Sequence, residues 1–368
     1  MAHLTKPNRY DIKDSNIALL GSDLEKRVRE HAGDTETAWE DAGKEPGLQI
    51  WRIEEFHVVP WPKERKGSFY DGDSYIVLHT YRKTPESEAL AYDLHFWLGE
   101  DTTQDEAGTA AYKTVELDDH LHGKPIQYRE VQGSESSRFL SYFPKFQSLR
   151  GGVASGFHHV TDPPPLELFR LYRISSPKTG STVIREVAAE ASSLVKGDVY
   201  VLDKGSKVLQ LNTKDSVGKE KFKAAEFVQS LVEARQGQCD VTVYDEGPGA
   251  GVFLAEFGSE SEMPSLQPTE DEGNETVLIR LSDASGQVTF EREALPHELS
   301  SADAYILDNS PTAIYVWLGN GSSLIERRLA PQYAQKYLYE TKEGRNVKVP
   351  IVRLHEGDED EEFLNLLK

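Results

Sequence analysis

Three stretches of this chain, GDSYIVLHTY at 72–81, GDVYVLDKGS at 197–206 and ADAYILDNSP at 302–311, are versions of one segment. In each, a small residue and an aspartate (Asp73, Asp198, Asp303) precede a run rich in β-branched and aromatic residues, the composition of a core strand. A second strand-like run follows each time: LHFWLG (94–99), VLQLN (208–212) and IYVWLG (314–319). Beyond it lie a polar loop and a helical pattern carrying an early glutamate, Glu106, Glu220 or Glu326. The aspartate-to-glutamate gaps are 33, 22 and 23 residues, the first lengthened by an inserted hairpin tip, RKTPESEALAYD. The aspartates lie 125 and 105 residues apart, which sets a domain period.

Working outward, each unit opens with a further strand, QIWRIEEFHVVP (49–60), ELFRLYRIS (167–175) or TVLIRLSD (276–283). Each closes with another: PIQYREV, CDVTVYDE or KVPIVRLH. Strands first, one long helix later and then a strand read as a compact α+β unit. The expected organisation is an N-terminal arm over 1–47 with a short helix around SDLEKRVREH, then units at 48–160, 161–260 and 276–368. HHVTDPPPLE joins the first two units, stiffened by three prolines. A polar, proline-containing linker over 261–275 joins the last two. The acidic run EGDEDEE (356–362) reads as a solvated end.

Composition narrows the function classes. Among 368 residues, 41 are Lys or Arg and 62 are Asp or Glu, a net charge of −21 that repels nucleic-acid phosphate. With 38% apolar residues and 5 Trp, 16 Tyr and 14 Phe, the chain can build real cores, which excludes wholesale disorder. The single cysteine, Cys239, excludes an internal disulfide framework and a cysteine-based zinc site, and suits a reducing compartment. The opening MAHLTKPNRYDIKD has no apolar core, and no run nears the ~18 residues of a transmembrane segment. The expectation is a cytoplasmic protein.

Catalytic signatures are missing. There is no P-loop, no G-x-S-x-G elbow and no H-E-x-x-H helix. GPGAG (247–251) reads as a turn, because it lacks the strand–turn–helix context of a dinucleotide site. His120 and His122, with Asp118 and Asp119, make at most half a metal site that no further His or Cys completes. Asn274 opens a glycosylation sequon without a secretory signal. The chain reads as a non-enzyme.

What repeats is oxygen chemistry. A hard cation such as calcium takes carboxylates and backbone carbonyls, ideally with one bidentate glutamate. The strand-start Asp and helix-start Glu of each unit could converge, since the second strand returns the chain to that end of the sheet. Gly72 or Gly197 would let its carbonyl approach an ion closely. The alternative is that the glutamates cap helices; T-Q-D-E (103–106) and S-L-I-E (323–326) both fit the capping box. In the first helix, Ala107, Ala110, Thr114, Leu117 and Leu121 form a core face at helical spacing. Tyr112 and Val115 fall nearly opposite, beside Asp119, as incidental surface residues or as a partner site. Lys214, Lys219, Lys221 and Lys223 crowd the start of the second helix, as solvated charges or as a surface for an acidic partner.

IWRIEEFHVVPWPKE, GSFYDGDSYIVLHTY, TTQDEAGTAAYKTVELDDHLHGKPIQYREVQ and GGVASGF carry a resemblance to the gelsolin family, in its three-repeat, severin- and fragmin-like form. The resemblance runs from SNIALLGSDLEKRVRE (15–30) to the last residue. It implies gelsolin-like repeats, each a mixed central sheet packed between one long and one short helix. It implies a calcium-dependent protein of the cytoskeleton that severs and caps actin filaments and nucleates them. The alternative is calcium-dependent binding of actin monomers, or a scaffold role, without severing.

By the resemblance, the Gly72 carbonyl, Asp73, Glu106 and the Val153 carbonyl hold calcium in the first repeat. Asp118 with the carbonyls of Gly123 and Pro125 holds an ion shared with actin. Gly197, Asp198 and Glu220, with Asp271, match the second repeat; Ala302, Asp303 and Glu326 match the third. The helix 103–121 wedges into actin through Tyr112, Val115, Asp118 and Asp119. The local reversal of charge at Lys219, Lys221 and Lys223, in an otherwise acidic chain, leads to the expectation that they meet the filament side. Before the second repeat, FPKFQSLRGG and LELFRLYRIS hold only Lys145, Arg150, Arg170 and Arg173, which implies at most weak phosphoinositide binding. Pro331 should kink the third helix or cost it one hydrogen bond.

Overall fold

The computed structural model describes residues 36–368 except 86, 153–167, 177–180, 259–275, 284–287, 311 and 342–348. The first unit runs β1 (Gly47–Glu54), β2 (His57–Pro60), β3 (Ser68–Tyr70), β4 (Ser74–Arg82), β5 (Leu90–Leu98), α1 (Gln104–His120), β6 (Ile126–Val131), α2 (Ser137–Ser141) and β7 (Lys145–Leu149). The second runs β8 (Arg170–Ser175), β9 (Thr182–Val187), β10 (Val199–Asp203), β11 (Lys207–Asn212), α3 (Gly218–Ala234), β12 (Asp240–Asp245) and α4 (Pro248–Ala255). The third runs β13 (Val277–Ser282), β14 (Thr289–Glu293), β15 (Ala304–Asn309), β16 (Ala313–Leu318), α5 (Leu324–Thr341), β17 (Ile351–His355) and α6 (Glu361–Leu366).

Each repeated segment is a central strand, β4, β10 or β15, antiparallel to its successor β5, β11 or β16. Each unit's sheet is covered on one face by its long helix and on the other by its short one. Ala110 and Leu117 of α1 pack on Ile76, Leu78 and Leu94, while Phe139 and Leu140 of α2 join Phe69, Tyr75 and Trp97 on the opposite face. The same division holds for α3 against α4 and for α5 against α6.

Several readings of the sequence change here. The stretch 49–60 is not one strand: Glu55 and Phe56 both take positive φ and fold it into the β1–β2 hairpin, as a two-residue turn between twisted strands demands. The inserted tip is shorter than expected, because β5 begins at Leu90 and only 83–89 remain as loop. GPGAG turns at Gly247 (φ 124°) and then starts α4, with Pro248 at its first position, where a missing N–H costs nothing. Helix α5 runs through Pro331 from Leu324 to Thr341, which forfeits one backbone bond.

The acidic end is built in rather than simply solvated. Glu356 accepts from Ser301 Oγ (2.6 Å) and Asn320 N (2.8 Å), Glu359 from Trp317 Nε1 (2.5 Å), and Asp360 caps α6 through Phe363 N (2.8 Å). The hydrogen bond from Ser301 Oγ and the Asn320 N–H hold the Glu356 carboxyl below its usual range. The residues before the first strand are equally committed. Trp39 is fully buried, edge-on to Trp51 at 5.1 Å, and donates from Nε1 to Glu116 at 2.9 Å.

The units do not keep separate sheets. One ten-stranded sheet, ordered β14-β13-β15-β16-β17-β6-β5-β4-β1-β2, joins the third unit to the first. The junction is the antiparallel pair β17–β6, with Ile351 opposite Arg129 and Arg353 opposite Gln127. A seven-stranded sheet, β12-β11-β10-β8-β9-β7-β3, adds two strands of the first unit to the second. Pairing open edges against each other satisfies their backbone groups, the physical reason that edge strands seek partners.

Removing the Trp39 side chain should cost about 3–5 kcal/mol, the usual range for emptying a buried aromatic site. Urea unfolding of Trp39→Ala checks this; a loss under about 1 kcal/mol would mean that 36–46 are dispensable to the first unit.

Candidate metal and partner site

Asp73, Asp198 and Asp303 occupy one structural position three times, just before the central strand, and all three are buried. The chain comes back to each from the end of the second strand. Gly99 N donates to the Asp73 carbonyl (3.1 Å), Thr213 Oγ1 to that of Asp198 (2.6 Å) and Gly319 N to that of Asp303 (3.1 Å). A Cβ on Gly99 or Gly319 would lie 2.1 Å from Asp71 O or 2.3 Å from Ser301 O, which explains the glycine closing FWLG and VWLG. Two residues beyond each Asp stands a buried tyrosine whose hydroxyl accepts a backbone N–H five residues upstream. Tyr70 N, Val195 N and Ser300 N donate to Tyr75, Tyr200 and Tyr305 at 3.2, 3.0 and 3.2 Å. Burial, joined by the charge of Asp73, pushes the Tyr75 hydroxyl well above its usual range.

Each aspartate faces an arginine from the unit's opening strand. Arg52 Nη1 lies 3.4 Å from Asp73 Oδ2 and Arg280 Nη2 lies 2.8 Å from Asp303 Oδ2, while Arg173 Nε donates to Asp198 Oδ2. The register is the same throughout, with Arg52 opposite Tyr75, Arg173 opposite Tyr200 and Arg280 opposite Tyr305. The hydrogen bond to Asp303 keeps the Arg280 guanidinium even harder to deprotonate than usual.

The glutamates also recur in place, buried in the first turn of each long helix. Their capping role is realised in the second and third units. Glu220 accepts from Val217 N (3.0 Å) and Ser176 N (2.9 Å), and Glu326 from Ser323 N (2.8 Å) and Asp283 N (2.7 Å), tying helix start to opening strand in both units. In the first unit, Glu106 N donates to Thr103 Oγ1 at 3.2 Å. Asp198 and Glu220 line one cavity of about 300 Å³ with Ser176, Glu135 and Arg185. In the first unit, Asp73 Oδ1 faces Gly152: a Cβ there would sit 2.5 Å from Oδ1 and 3.0 Å from Gly72 C. Gly72 N donates to Gly151 O (2.7 Å), and Gly151 N to Asp71 Oδ1 (2.7 Å).

These features fit a hard cation. The donors are all oxygen, the carboxylates are buried where a positive charge is needed, and Gly152 leaves a cradle at Asp73 Oδ1. Among the described residues no three His, Cys, Asp or Glu side chains converge on one point, so backbone oxygens would have to complete any such site. Val153 and Asp271, the remaining expected ligands, lie outside the described residues. Ala302, at the carbonyl position of the third unit, is exposed, and Gly197 takes φ 109°.

The expected partner face lies on α1. Tyr112 is 51% exposed, Val115 and Asp119 are half-buried and Asp118 is buried. The helix ends in a left-handed turn at His122 and Gly123, with Gly123 N donating to Asp118 O (2.9 Å), which brings Asp118, Gly123 and Pro125 to one end of the helix. Asp118 Oδ2 lies 3.7 Å from Arg353 Nη1 of the third unit. On α3, Lys219 is exposed, Lys221 half-buried, and Lys223 pairs with Glu226 at 2.6 Å. Phe222, 62% exposed between these lysines, was not singled out from the sequence, although its place in KEKFK is visible there. Nor were Arg52 and Arg280, and Arg173 stood out only as one of four basic residues before the second repeat; the shared register in WRIE, YRIS and IRLS was the available signal.

The Gelsolin repeat family model matches residues 55–140 and 297–364, which lie in the first and third units. "Gelsolin-like protein 2" of Lumbricus terrestris is 39% identical over 364 residues, 97% of this chain and 97% of its own length. "Severin" of Echinococcus granulosus is 39% identical over 92% of each chain. "Villin-4" of Oryza sativa subsp. japonica is 39% identical over 85% of this chain and 34% of its own.

Gly152→Ala should be destabilising by about 1–3 kcal/mol, since φ of +152° strains any side chain and the new Cβ collides with Asp73 Oδ1. Denaturant unfolding measures it. A neutral substitution would mean that the Gly152–Asp73 cradle is not closed in solution.

Proposed function

The chain belongs to the gelsolin family, and from that premise we propose that it severs actin filaments in a calcium-dependent manner and remains as a barbed-end cap. Its place is then the cytoplasmic actin cytoskeleton, and its activity is binding rather than catalysis. The observation that carries this reading is the meeting of Asp118 with Arg353 across the β6–β17 junction. The end of the helix read as the actin wedge is thus held by the third repeat in the form described above.

The chemistry follows from charge. Actin is acidic, as this chain is, so their long-range fields oppose encounter. Calcium, when bound, supplies a divalent charge that offsets buried carboxylates. Asp73 and Glu106 with the Gly72 and Val153 carbonyls would hold one ion; Asp118 with the Gly123 and Pro125 carbonyls would hold another, shared with actin. Gly197, Asp198, Glu220 and Asp271 would serve the second repeat, and Ala302, Asp303 and Glu326 the third. Once Asp118 no longer depends on Arg353, β17 can part from β6 and uncover the end of α1. Tyr112 and Val115 then enter an apolar cleft on actin. Lys219, Lys221 and Lys223, flanking exposed Phe222, hold the filament side. With Arg173 turned to Asp198 and Arg170 3.9 Å from Glu186, few basic groups remain there for phosphoinositide, which supports weak lipid binding.

The direct test is filament length with calcium and with chelator. Shortening that needs calcium supports the reading; binding of actin without shortening favours a monomer-binding or scaffold protein. Two variants probe the parts. Tyr112→Ala with Val115→Ala should weaken actin binding by about 2–4 kcal/mol, as expected of a small anchor in a cleft. If the double variant binds actin monomers as tightly as wild type, α1 is not the wedge. Arg353→Ala should lower the calcium needed for severing by roughly fivefold or more, the scale of a typical coupling between sites. An unchanged calcium requirement would remove Arg353 from the latch.

A further inference from the structure

The three arginines that meet the strand-start aspartates differ in one respect that their sequences explain. Two residues after Arg52 comes Glu54, whereas Arg173 and Arg280 are followed at that position by Ser175 and Ser282. Alternate residues of a strand share a face, so Glu54 stands beside the arginine and the serines offer no charge. The geometry matches. Arg52 donates to Glu54 Oε1 from both Nε (2.7 Å) and Nη2, and its contact with Asp73 is long, at 3.4 Å. Arg173 and Arg280 give their full hydrogen bonds to Asp198 and Asp303.

We propose that these arginines are internal counterions that compete with calcium for the aspartates, and that Glu54, by drawing Arg52 away, makes the first repeat the one that loads at the lowest calcium. The proposal rests on the calcium reading above and adds to it an order of filling. A guanidinium on Oδ2 opposes a divalent ion on Oδ1 whether it stays or leaves. Staying, it repels the ion; leaving, it gives up a charge-assisted hydrogen bond to a buried carboxylate. A unit charge about 5 Å from a divalent ion weakens binding by roughly tenfold even at near-aqueous dielectric.

The test is calcium binding by calorimetry on the full chain, paired with thermal unfolding in chelator and in saturating calcium. Arg173→Gln and Arg280→Gln should each tighten one of the weaker sites by about tenfold. Each should also lower the melting temperature in chelator, where a buried aspartate loses its partner, and much less in calcium. Arg173→Lys, which restores the charge, should bind nearly as wild type does. Glu54→Ser should act in the opposite direction: Arg52 is freed for Asp73, and the tightest site weakens. Because that variant leaves every buried aspartate paired, it remains informative even if the glutamine variants unfold. Unchanged or weaker affinity in both glutamine variants, or an unchanged first site in Glu54→Ser, overturns the proposal. If Asp198→Asn still deletes one calcium site in that case, the calcium reading stands; if it deletes none, both fall.

Discussion

Burying a carboxylate without a positive partner costs several kcal/mol, and this chain buries one at the start of a central strand three times over. The solution is the same in each unit, an arginine on the adjacent strand opposite a tyrosine two residues beyond the aspartate. That arrangement explains much else. The tyrosine hydroxyl anchors the turn before the strand, and the second strand must return close enough for its last residues to donate to the aspartate's carbonyl. Glycine at 99 and 319 is what permits that approach. A charge satisfied by arginine can also be satisfied by a metal ion, so the device that stabilises the fold without metal is the one on which metal control would act.

A good part of this was legible in the sequence. The threefold Asp-strand-strand-Glu order, the core face of α1 and the exposure of Tyr112 follow from periodicity and spacing, because period-2 and period-3.6 patterns leave direct marks. The sharing of sheets did not. Strand pairing between repeats depends on which edges are left open, and β6 and β17 carry no pattern that distinguishes an outer edge from a joined one. The arginines were hidden differently. A lone arginine on a strand reads as a solvated charge or, at Arg173, as a lipid contact, and its partner is 21 to 25 residues away, at Asp73, Asp198 and Asp303. The acidic end was misread for a related reason: Glu356, Glu359 and Asp360 accept protein N–H and O–H donors, and composition does not show a carboxylate's donors.

The two shared sheets place the repeats under mutual constraint. The first repeat gives β6 to the third and β7 to the second, so its core elements are engaged on two sides. Charges reinforce the contacts, with Arg353 near Asp118, Lys83 on Asp358 (3.1 Å) and Arg185 on Glu135 (2.7 Å). The exposed Lys83–Asp358 pair is modest and salt-sensitive, whereas Glu135 and Asp118 are buried carboxylates that depend more on their arginines. The antiparallel β6–β17 pair is short, joining Gln127–Arg129 to Ile351–Arg353. A contact built this way can be broken as a unit, which suits a switch better than many independent contacts would.

Amide hydrogen exchange with and without calcium tests this account most directly, read at 126–131 and 351–355, the two strands of the junction. Calcium should accelerate exchange in β6 and β17 together while β4 and β10, in the centres of their repeats, stay protected. Protection at β6 and β17 that is unchanged by calcium, in a protein that nevertheless shortens filaments when calcium is added, would contradict it.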